Sequence, residues 1–313
     1  MNLDVLPDLV TPIRSWARRQ PDAPAITHAG TTIKRRELDR RSDAVAADLL
    51  RRGVSPGDRV GIMGTASPQW CFTALAVLKI GAVIVPMTER LSPSEVSAIL
   101  ARVEAVLAVS DADHAGIITT AREAPSDCPW GRVTFDGLAA DVATGDAPAA
   151  PIHNGARGDQ LAIIAFTSGS TGLPKGSMLT HAVVMHALFE WVLQEPALRR
   201  CRALEVTSLA YLGGLLNSFL GPLVFGGSVV LLPRWNSSTA LSLIASERSR
   251  ASPARRSSTS RWPPTRRSRR ARSRPSPSRS RAAAPCPSRC LSVGRRAASA
   301  SGRAMASPRV ARS

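Results

Sequence analysis

The stretch Leu161-Ala162-Ile163-Ile164-Ala165-Phe166 runs without interruption into Thr167-Ser168-Gly169-Ser170-Thr171-Gly172-Leu173-Pro174-Lys175-Gly176. An apolar run of six, rich in β-formers, reads as a buried strand, and the decapeptide after it reads as the loop at that strand's end. Glycines 169, 172 and 176 allow backbone angles and close approaches that a Cβ would block. The hydroxyls of Thr167, Ser168, Ser170 and Thr171, with exposed backbone N–H groups, suit phosphate oxygens. Lys175 adds a mobile point charge, and Pro174 stiffens the return. This is not a Walker A loop, which needs G-x-x-x-x-G-K-[ST]; here Gly176 follows the lysine. By composition alone a plain surface turn is the competing reading; the order of residues and the position after a strand favour phosphate.

Outward from the loop, short apolar strands alternate with helices. On the N-terminal side, Leu9–Gln20 reads as an amphipathic helix, and Ala25–His28 and Thr31–Ile33 as strands joined at Ala29-Gly30. A helix follows over about Glu37–Arg52, with Leu38, Val45, Leu49 and Leu50 as its apolar stripe, stopped by Gly53. Arg59–Met63 is strand-like, Ser67 or Pro68 opens a helix to Lys79, and Ala82–Val85 is the next strand. Ser92 with Glu95 has capping-box spacing, and Ala105–Val109 is a further strand. Residues 137–160 read as a surface connection. Beyond the loop, Thr180 caps a helix over His181–Gln194. Ala203–Leu209 and Ser228–Leu232 read as strands around a helical stretch Leu212–Phe219. Thr239 is placed as the cap of a last helix, Ala240–Glu247, with Leu241 and Ile244 turned inward. The rhythm predicts an α/β fold of layered, mainly parallel sheets flanked by helices.

The net charge of +18 is unevenly spread. Residues 1–247 carry 22 Lys plus Arg against 23 Asp plus Glu, whereas residues 248–313 hold 19 Arg and no Lys, Asp or Glu. The latter segment also has 16 Ser, 12 Ala and 8 Pro, and shows neither helical nor strand periodicity. Burial there cannot offset roughly 1–2 kcal/mol of backbone entropy per ordered residue, so it is expected to be a disordered, low-complexity basic tail. The domain reading is therefore 1–247 folded and 248–313 tail.

Five cysteines, at 71, 128, 201, 286 and 290, form no C-x-x-C and no even framework, as expected of reduced thiols in a cytoplasmic protein. The N-terminus lacks the basic and apolar regions of a signal peptide, and glycines and a proline break Leu209–Leu232, so no transmembrane span is expected. His28, His114 and His153 have no partner legible in the sequence. His181 and His186 fall on the helix behind the loop, where capping or packing accounts for them.

Thr167–Gly176 resembles the signature loop of the adenylate-forming superfamily, which includes acyl-CoA synthetases, peptide-synthetase adenylation domains and luciferases. Arg36-Glu37-Leu38-Asp39, Gly57-Asp58-Arg59-Val60, Ala76 to Pro86, Leu179-Thr180-His181 and Gly226 to Leu232 are similar to that superfamily too, so the likeness covers about residues 9–247. It implies that ATP and a carboxylic acid give an acyl-adenylate and pyrophosphate, commonly followed by transfer to the thiol of coenzyme A or of a carrier protein. It also implies that Thr167, Ser168, Gly169, Ser170, Thr171, Gly172 and Lys175 grip the phosphates, with Lys175 and Thr167 catalytic and Mg2+ carried on the nucleotide rather than by a ligand set of this chain. A fatty or other hydrophobic acid is the implied substrate. Its pocket would involve Tyr211, Gly213 and Gly214, where Tyr211 stands in place of the superfamily's frequent histidine. A packing role for Tyr211 is the alternative. Arg35 occupies a position usually aromatic, read as a more exposed first helix turn.

The superfamily's downstream features are an aromatic-Gly-x-Thr-Glu motif at the adenine, an aspartate at the ribose and a C-terminal domain with a catalytic lysine. None can be placed after Glu247, where no acidic residue occurs. Three readings follow. A reading-frame slip near 247 in a GC-rich gene would yield Arg, Ser, Pro and Ala, and the folded part's own 19 Arg to 3 Lys fits such a gene. A basic tail attracting nucleic-acid phosphates is the second, against which stands the lack of interleaved aromatics, so no specific nucleic-acid partner is expected. An adenylate-former kept as a non-catalytic binding protein is the third. The chain as it stands is expected to be inactive or nearly so.

Overall fold

A computed structural model of the chain describes residues 8–123, 130–138, 152, 156–167, 175–232, 236–246 and 250–251. All of them belong to one unit, Met1–Trp262; the second unit, Pro263–Ser313, and with it nearly all of the basic tail, lies outside the described residues.

Two sheets organise the unit. The first has the order β11-β9-β10-β1-β2, with β1 Pro24–His28, β2 Thr31–Lys34, β9 Arg202–Leu204, β10 Ser228–Leu231 and β11 Arg250–Ala251. The second has the order β6-β5-β3-β4-β7-β8, with β3 Arg59–Met63, β4 Val83–Met87, β5 Leu107–Ser110, β6 Gly131–Thr134, β7 Leu161–Thr167 and β8 Lys175–Thr180. Every pairing is parallel except the β1–β2 and β7–β8 hairpins. The helices are α1 Val10–Arg19, α2 Arg35–Arg51, α3 Pro68–Lys79, α4 Pro93–Arg102, α5 Ala115–Glu123, α6 His181–Gln194, a π-helix Gly213–Leu220 that passes straight into the short α7 Gly221–Val224, and α8 Ser237–Ser246.

Local signals explain many of the boundaries. Ser67 accepts from the Trp70 N–H at the start of α3, with Pro68 at its first position. Ser92 and Glu95 close a reciprocal capping box on α4. Gly53, at φ +86°, ends α2. Gly61 lets α4 press on β3, since a Cβ there would lie 2.6 Å from Leu100 Cδ2 and 2.9 Å from Met87 Cε.

A buried ionic quartet ties three helices together. Lys79 Nζ donates to Asp39 Oδ1 at 2.6 Å and Asp43 Oδ1 at 2.8 Å. Arg14 reaches the same two carboxylates, at 3.4 and 2.6 Å, and donates to the Ile152 carbonyl at 2.9 Å. With two cations facing two anions, charges that would be costly to bury alone are tolerated at the junction of α1, α2 and α3. Burial nonetheless pushes Asp43 above the usual carboxylate range, outweighing the pull of Lys79.

Four sequence expectations are corrected. Arg35 is buried, not exposed: it donates to Gln20 Oε1 at 2.6 Å and to the carbonyls of Gly226 and Gly227, and its guanidinium stacks on Trp16 at 5.5 Å. That contact forms across 191 residues, which no local pattern could announce. The strand expected over Ala203–Leu209 stops at Leu204, and the chain turns at Ser208–Tyr211, where the Tyr211 N–H donates to the Ser208 carbonyl. The last helix begins at Ser237, and its cap is Asn236, whose Oδ1 accepts from the Ser238 and Thr239 N–H groups, rather than Thr239. Leu241 on that helix is 38% exposed rather than turned inward; it is Ala240 that is buried. The side chain of Ile244 lies outside the described residues.

Candidate functional site

β7 and β8 pair antiparallel from Leu161↔Thr180 to Thr167↔Lys175, a hairpin whose strands flank the candidate phosphate-loop sequence. Ser168, Gly169, Ser170, Thr171 and Gly172 lie outside the described residues, as does the side chain of Thr167. The hairpin's base is well defined. Lys175 is exposed, and among the described residues no carboxylate pairs with it, which leaves its ammonium available to an oxyanion. Gly176 packs against β7: a Cβ would lie 3.1 Å from Ile164 Cγ2 and 3.3 Å from the Phe166 ring. A strand over Lys175–Thr180 was missed by sequence reading, because Lys-Gly-Ser-Met shows no strand alternation; pairing with the apolar β7 creates it.

Helix α6 backs the hairpin. Thr180 caps it, accepting from the Val183 N–H at 3.2 Å. His181, fully buried, accepts at Nδ1 from the Leu9 N–H at 3.3 Å, which places its ring proton on Nε2 and gives it a structural role. His186 is exposed on the opposite side of the helix.

The other predicted substrate element also rests on α6. The Tyr211 N–H donates to the Ser208 carbonyl at 3.1 Å, and the chain then enters the π-helix. The Gly221 N–H donates to the Leu216 carbonyl, five residues back. Pro222 follows, with no N–H to donate and a ring that crowds the carbonyl four residues earlier, a physical reason for the widened turn. Gly214 is packed without spare room: a Cβ would lie 2.3 Å from the Ser208 carbonyl oxygen and 2.4 Å from that of Thr207. Gly213 faces open space, with nothing within 4 Å. Tyr211 is 47% exposed beside it. At the far end of the π-helix, a Cβ on Gly221 would lie 3.1 Å from Leu188 Cδ2 and 3.4 Å from Trp191 Cζ3, both on α6. Helix α6 therefore follows directly on the β7–β8 hairpin and packs against the far end of the segment that begins at the Tyr211–Gly214 turn.

Two further groups went unnoticed in the sequence. Glu205, at the end of β9 and 4% exposed, is pushed up to about 8 by burial, partly countered by the Leu232 backbone N–H and reinforced by Glu89. A lone carboxylate inside an apolar run was the available signal. It faces Cys71, whose thiol burial drives well above its ordinary range. Cys71 and Cys201 are buried; Cys128, Cys286 and Cys290 lie outside the described residues. Asp111 Oδ1 sits 2.5 Å from His114 Nδ1, while its Oδ2 accepts from the Thr65 N–H, giving His114 a partner that spacing did not reveal. Among the described residues no helix is long and apolar enough to cross a membrane.

A model of the family described as AMP-binding enzyme matches residues 13–254. The sequence is similar to a feruloyl-CoA synthase from Amycolatopsis sp, 32% identical over 238 residues, covering 76% of this chain and 46% of that protein. It is also similar to pyochelin synthetase PchF of Pseudomonas aeruginosa, 32% identical over 211 residues, covering 67% of this chain and 11% of the other. Among solved structures, the N-terminal domain of FACL13 from Mycobacterium tuberculosis matches with a TM-score of 0.71 at 26% identity, over 77% of this chain and 61% of that one. The chain spans about half the length of the feruloyl-CoA synthase, or less in the case of the longer synthetases. With the family match extending over more than half of the sequence, the chain belongs to the AMP-binding enzymes, the AMP-dependent synthetase and ligase family.

Proposed function

We propose that the chain carries the phosphate-gripping part of an ATP-dependent acid–thiol ligase of the acyl-CoA synthetase kind, acting on a fatty or other hydrophobic carboxylic acid. The observation that supports this best is the β7–β8 hairpin, which sets an exposed Lys175 opposite Thr167 at the base of a Ser/Thr/Gly loop in a chain of this family. A carboxylate oxygen attacks the α-phosphorus of ATP, the bond to the bridging oxygen of the β-phosphate breaks, and pyrophosphate departs with the electron pair. Lys175, the loop hydroxyls and the loop N–H groups offset the charge that gathers on the departing phosphates. Mg2+ travelling with the nucleotide supplies further charge neutralisation. The sulfur of coenzyme A, its thiol deprotonated, then attacks the acyl carbonyl of the adenylate, the C–O bond to the phosphate breaks, and AMP departs as the thioester forms. Tyr211, Gly213 and Gly214 border the acid, Gly213 leaving open space for it and Tyr211 offering a ring face and one hydroxyl. Relatives named as feruloyl-CoA synthases favour coenzyme A as the acceptor, while those named as peptide synthetases keep a carrier-protein thiol as the second reading.

Because no adenine or ribose motif can be read after Glu247, this chain by itself is expected to catalyse little or no ATP–pyrophosphate exchange with any of a panel of carboxylic acids. Robust exchange would overturn the expectation of inactivity and confirm the ligase. Binding of ATP that is weakened about ten- to a hundred-fold by Lys175→Ala supports the phosphate grip; ATP binding indifferent to that change sinks it. The reading-frame explanation of the tail predicts that another frame after codon 247 encodes a Thr-Glu adenine motif.

A further inference from the structure

Where the chain enters the parallel strands β9 and β10 of the first sheet, Trp16 is the centre of a group of cations. The guanidinium of Arg35 lies 5.5 Å from the indole centroid and that of Arg200 lies 5.2 Å from it. The ring itself is pinned. Its Nε1–H donates to the Val224 carbonyl at 3.0 Å, and it lies so close on Gly226, at φ +75°, that a Cβ there would be 2.6 Å from Trp16 Cε2. Arg19, exposed, follows Trp16 by three residues and so falls on the same side of α1, and Arg199 is exposed next to Arg200.

The charges of this group do not balance. Arg35 is 8% exposed, yet it donates only to neutral acceptors, Gln20 Oε1 and the carbonyls of Gly226 and Gly227. A buried charge is ordinarily paired with an opposite one. Arg35 instead meets a like charge: burial first, and Arg200 after it, pull its guanidinium below the usual arginine range. The Asp22 carboxylate is engaged by Lys34 and Arg36, and among the described residues no carboxylate pairs with Arg19, Arg35, Arg199 or Arg200. Attraction to the indole face holds a guanidinium in place without neutralising it. Arg200 is also held at φ +55°, the left-handed region that a residue with a Cβ enters against strain, and its N–H donors make no hydrogen bond among the described residues.

A group of uncompensated guanidiniums beside a fixed ring calls for an anion, and a phosphate group fits it best. Its oxygens accept in pairs from a planar guanidinium fork, and its double charge can be shared among several arginines, where a carboxylate offers one charge and two oxygens. We propose that Arg19, Arg199 and Arg200, gathered around Trp16 and backed by the buried Arg35, form a binding site for a phosphate group, either the free ion or one carried by a small organic molecule. The site lies at the opposite end of β9 from the Tyr211–Gly214 turn and shares no residue with the β7–β8 hairpin. It therefore stands or falls independently of the ligase reading.

The full-length chain, isotopically labelled at tryptophan, is titrated with inorganic phosphate at constant ionic strength while the Trp16 indole N–H resonance is followed by NMR. Its assignment comes from its loss in Trp16→Phe. The signal is local, so phosphate gathered by the arginines of residues 248–313 does not register in it. A saturable shift is expected, with its midpoint raised roughly ten-fold or more in Arg200→Gly. Glycine takes the left-handed backbone without strain, so that variant should melt no lower than the parent, which separates lost binding from lost folding. Glycerol 3-phosphate is the second arm: a midpoint at or below that of inorganic phosphate makes a carried phosphate group the ligand, and a higher one makes it the free ion. The proposal is overturned if neither compound moves the resonance, if chloride at matched ionic strength moves it as far, or if Arg200→Gly titrates as the parent does.

Discussion

Thr167 and Lys175 stand directly across from each other at the end of the β7–β8 ladder, so the loop between them starts and finishes at one point. The lysine's position is thereby set by strand pairing rather than by the loop's own conformation. Replacing Lys175 with Ala removes a charged donor to phosphate, worth about 1.5–3 kcal/mol, or roughly ten- to a hundred-fold in ATP affinity. Its exposure means that stability should change by no more than about 0.5 kcal/mol. Isothermal titration and thermal melts on the same variant separate the two effects, and a large loss of stability would show Lys175 to be structural.

Gly213 and Gly214 make a paired test of the substrate turn. Gly214→Ala drives a methyl into two backbone carbonyls that cannot move aside without unwinding the π-helix, and should cost at least ~1–3 kcal/mol. Gly213→Ala meets open space and should be neutral or slightly stabilising, yet it alters acid binding if that space holds the acid. Urea melts on both variants check the asymmetry; equal costs would place the crowding elsewhere.

Lys79 is the most deeply buried member of the ionic quartet, its side chain 2% exposed. Lys79→Met strands Asp39 and Asp43 beside a single Arg14 and should cost about 3–5 kcal/mol by denaturant unfolding. Adding Asp43→Asn to that variant should recover part of the loss, since one uncompensated charge goes with it.

Glu205 gives the stability a pH dependence with a definite sign. Folded, it keeps its proton up to about pH 8; unfolded, it releases it near its ordinary value of 4.5. Between those values the folded state binds more protons, so this group's contribution is fully present below about pH 4.5, declines as pH rises and is gone above about pH 8. One proton corresponds to a slope of at most about 1.4 kcal/mol per pH unit. In Glu205→Gln the slope should flatten, so the variant gains on the parent between pH 5.5 and pH 8 in paired urea melts. A constant difference across that range would mean the carboxyl is already ionised in the fold.

The basic segment 248–313 should hold DNA only through unspecific phosphate attraction, steeply weakened by salt and lost on deleting those residues. If a chain ending at 247 still bound DNA, the attraction would have to come from the folded unit.

Where structure was legible in the sequence, the signals were local. The limits of β3 and α6 and the Ser92–Glu95 box follow from an apolar run, a threonine cap and a spacing of three, none of which depends on distant chain. Helix α5 and strand β6 escaped notice because their stretch carries no strong periodicity and β6 is only partly buried. The buried Arg35 was illegible because its partner carbonyls lie 191 residues along the chain, and strand β8 because only pairing with the apolar β7 makes Lys-Gly-Ser-Met a strand. For the candidate site, residue types gave the phosphate proposal and picked out Gly213 and Gly214. They could not tell the glycine that is sterically required from the one facing open space, a distinction that exists only in three dimensions.

The π-helix at Gly213–Leu220 has a consequence for how this chain can diversify. A turn closed over five residues differs from an ordinary helical turn by one residue, and one residue of helix amounts to a rotation of about 100°. Losing a single codon within it would tighten the turn and swing Tyr211 and Gly213 around the axis, while Gly221 could keep its seat against Leu188 and Trp191. The segment is thus an indexing joint, able to re-aim the Tyr211–Gly214 turn in one mutational step without disturbing helix α6.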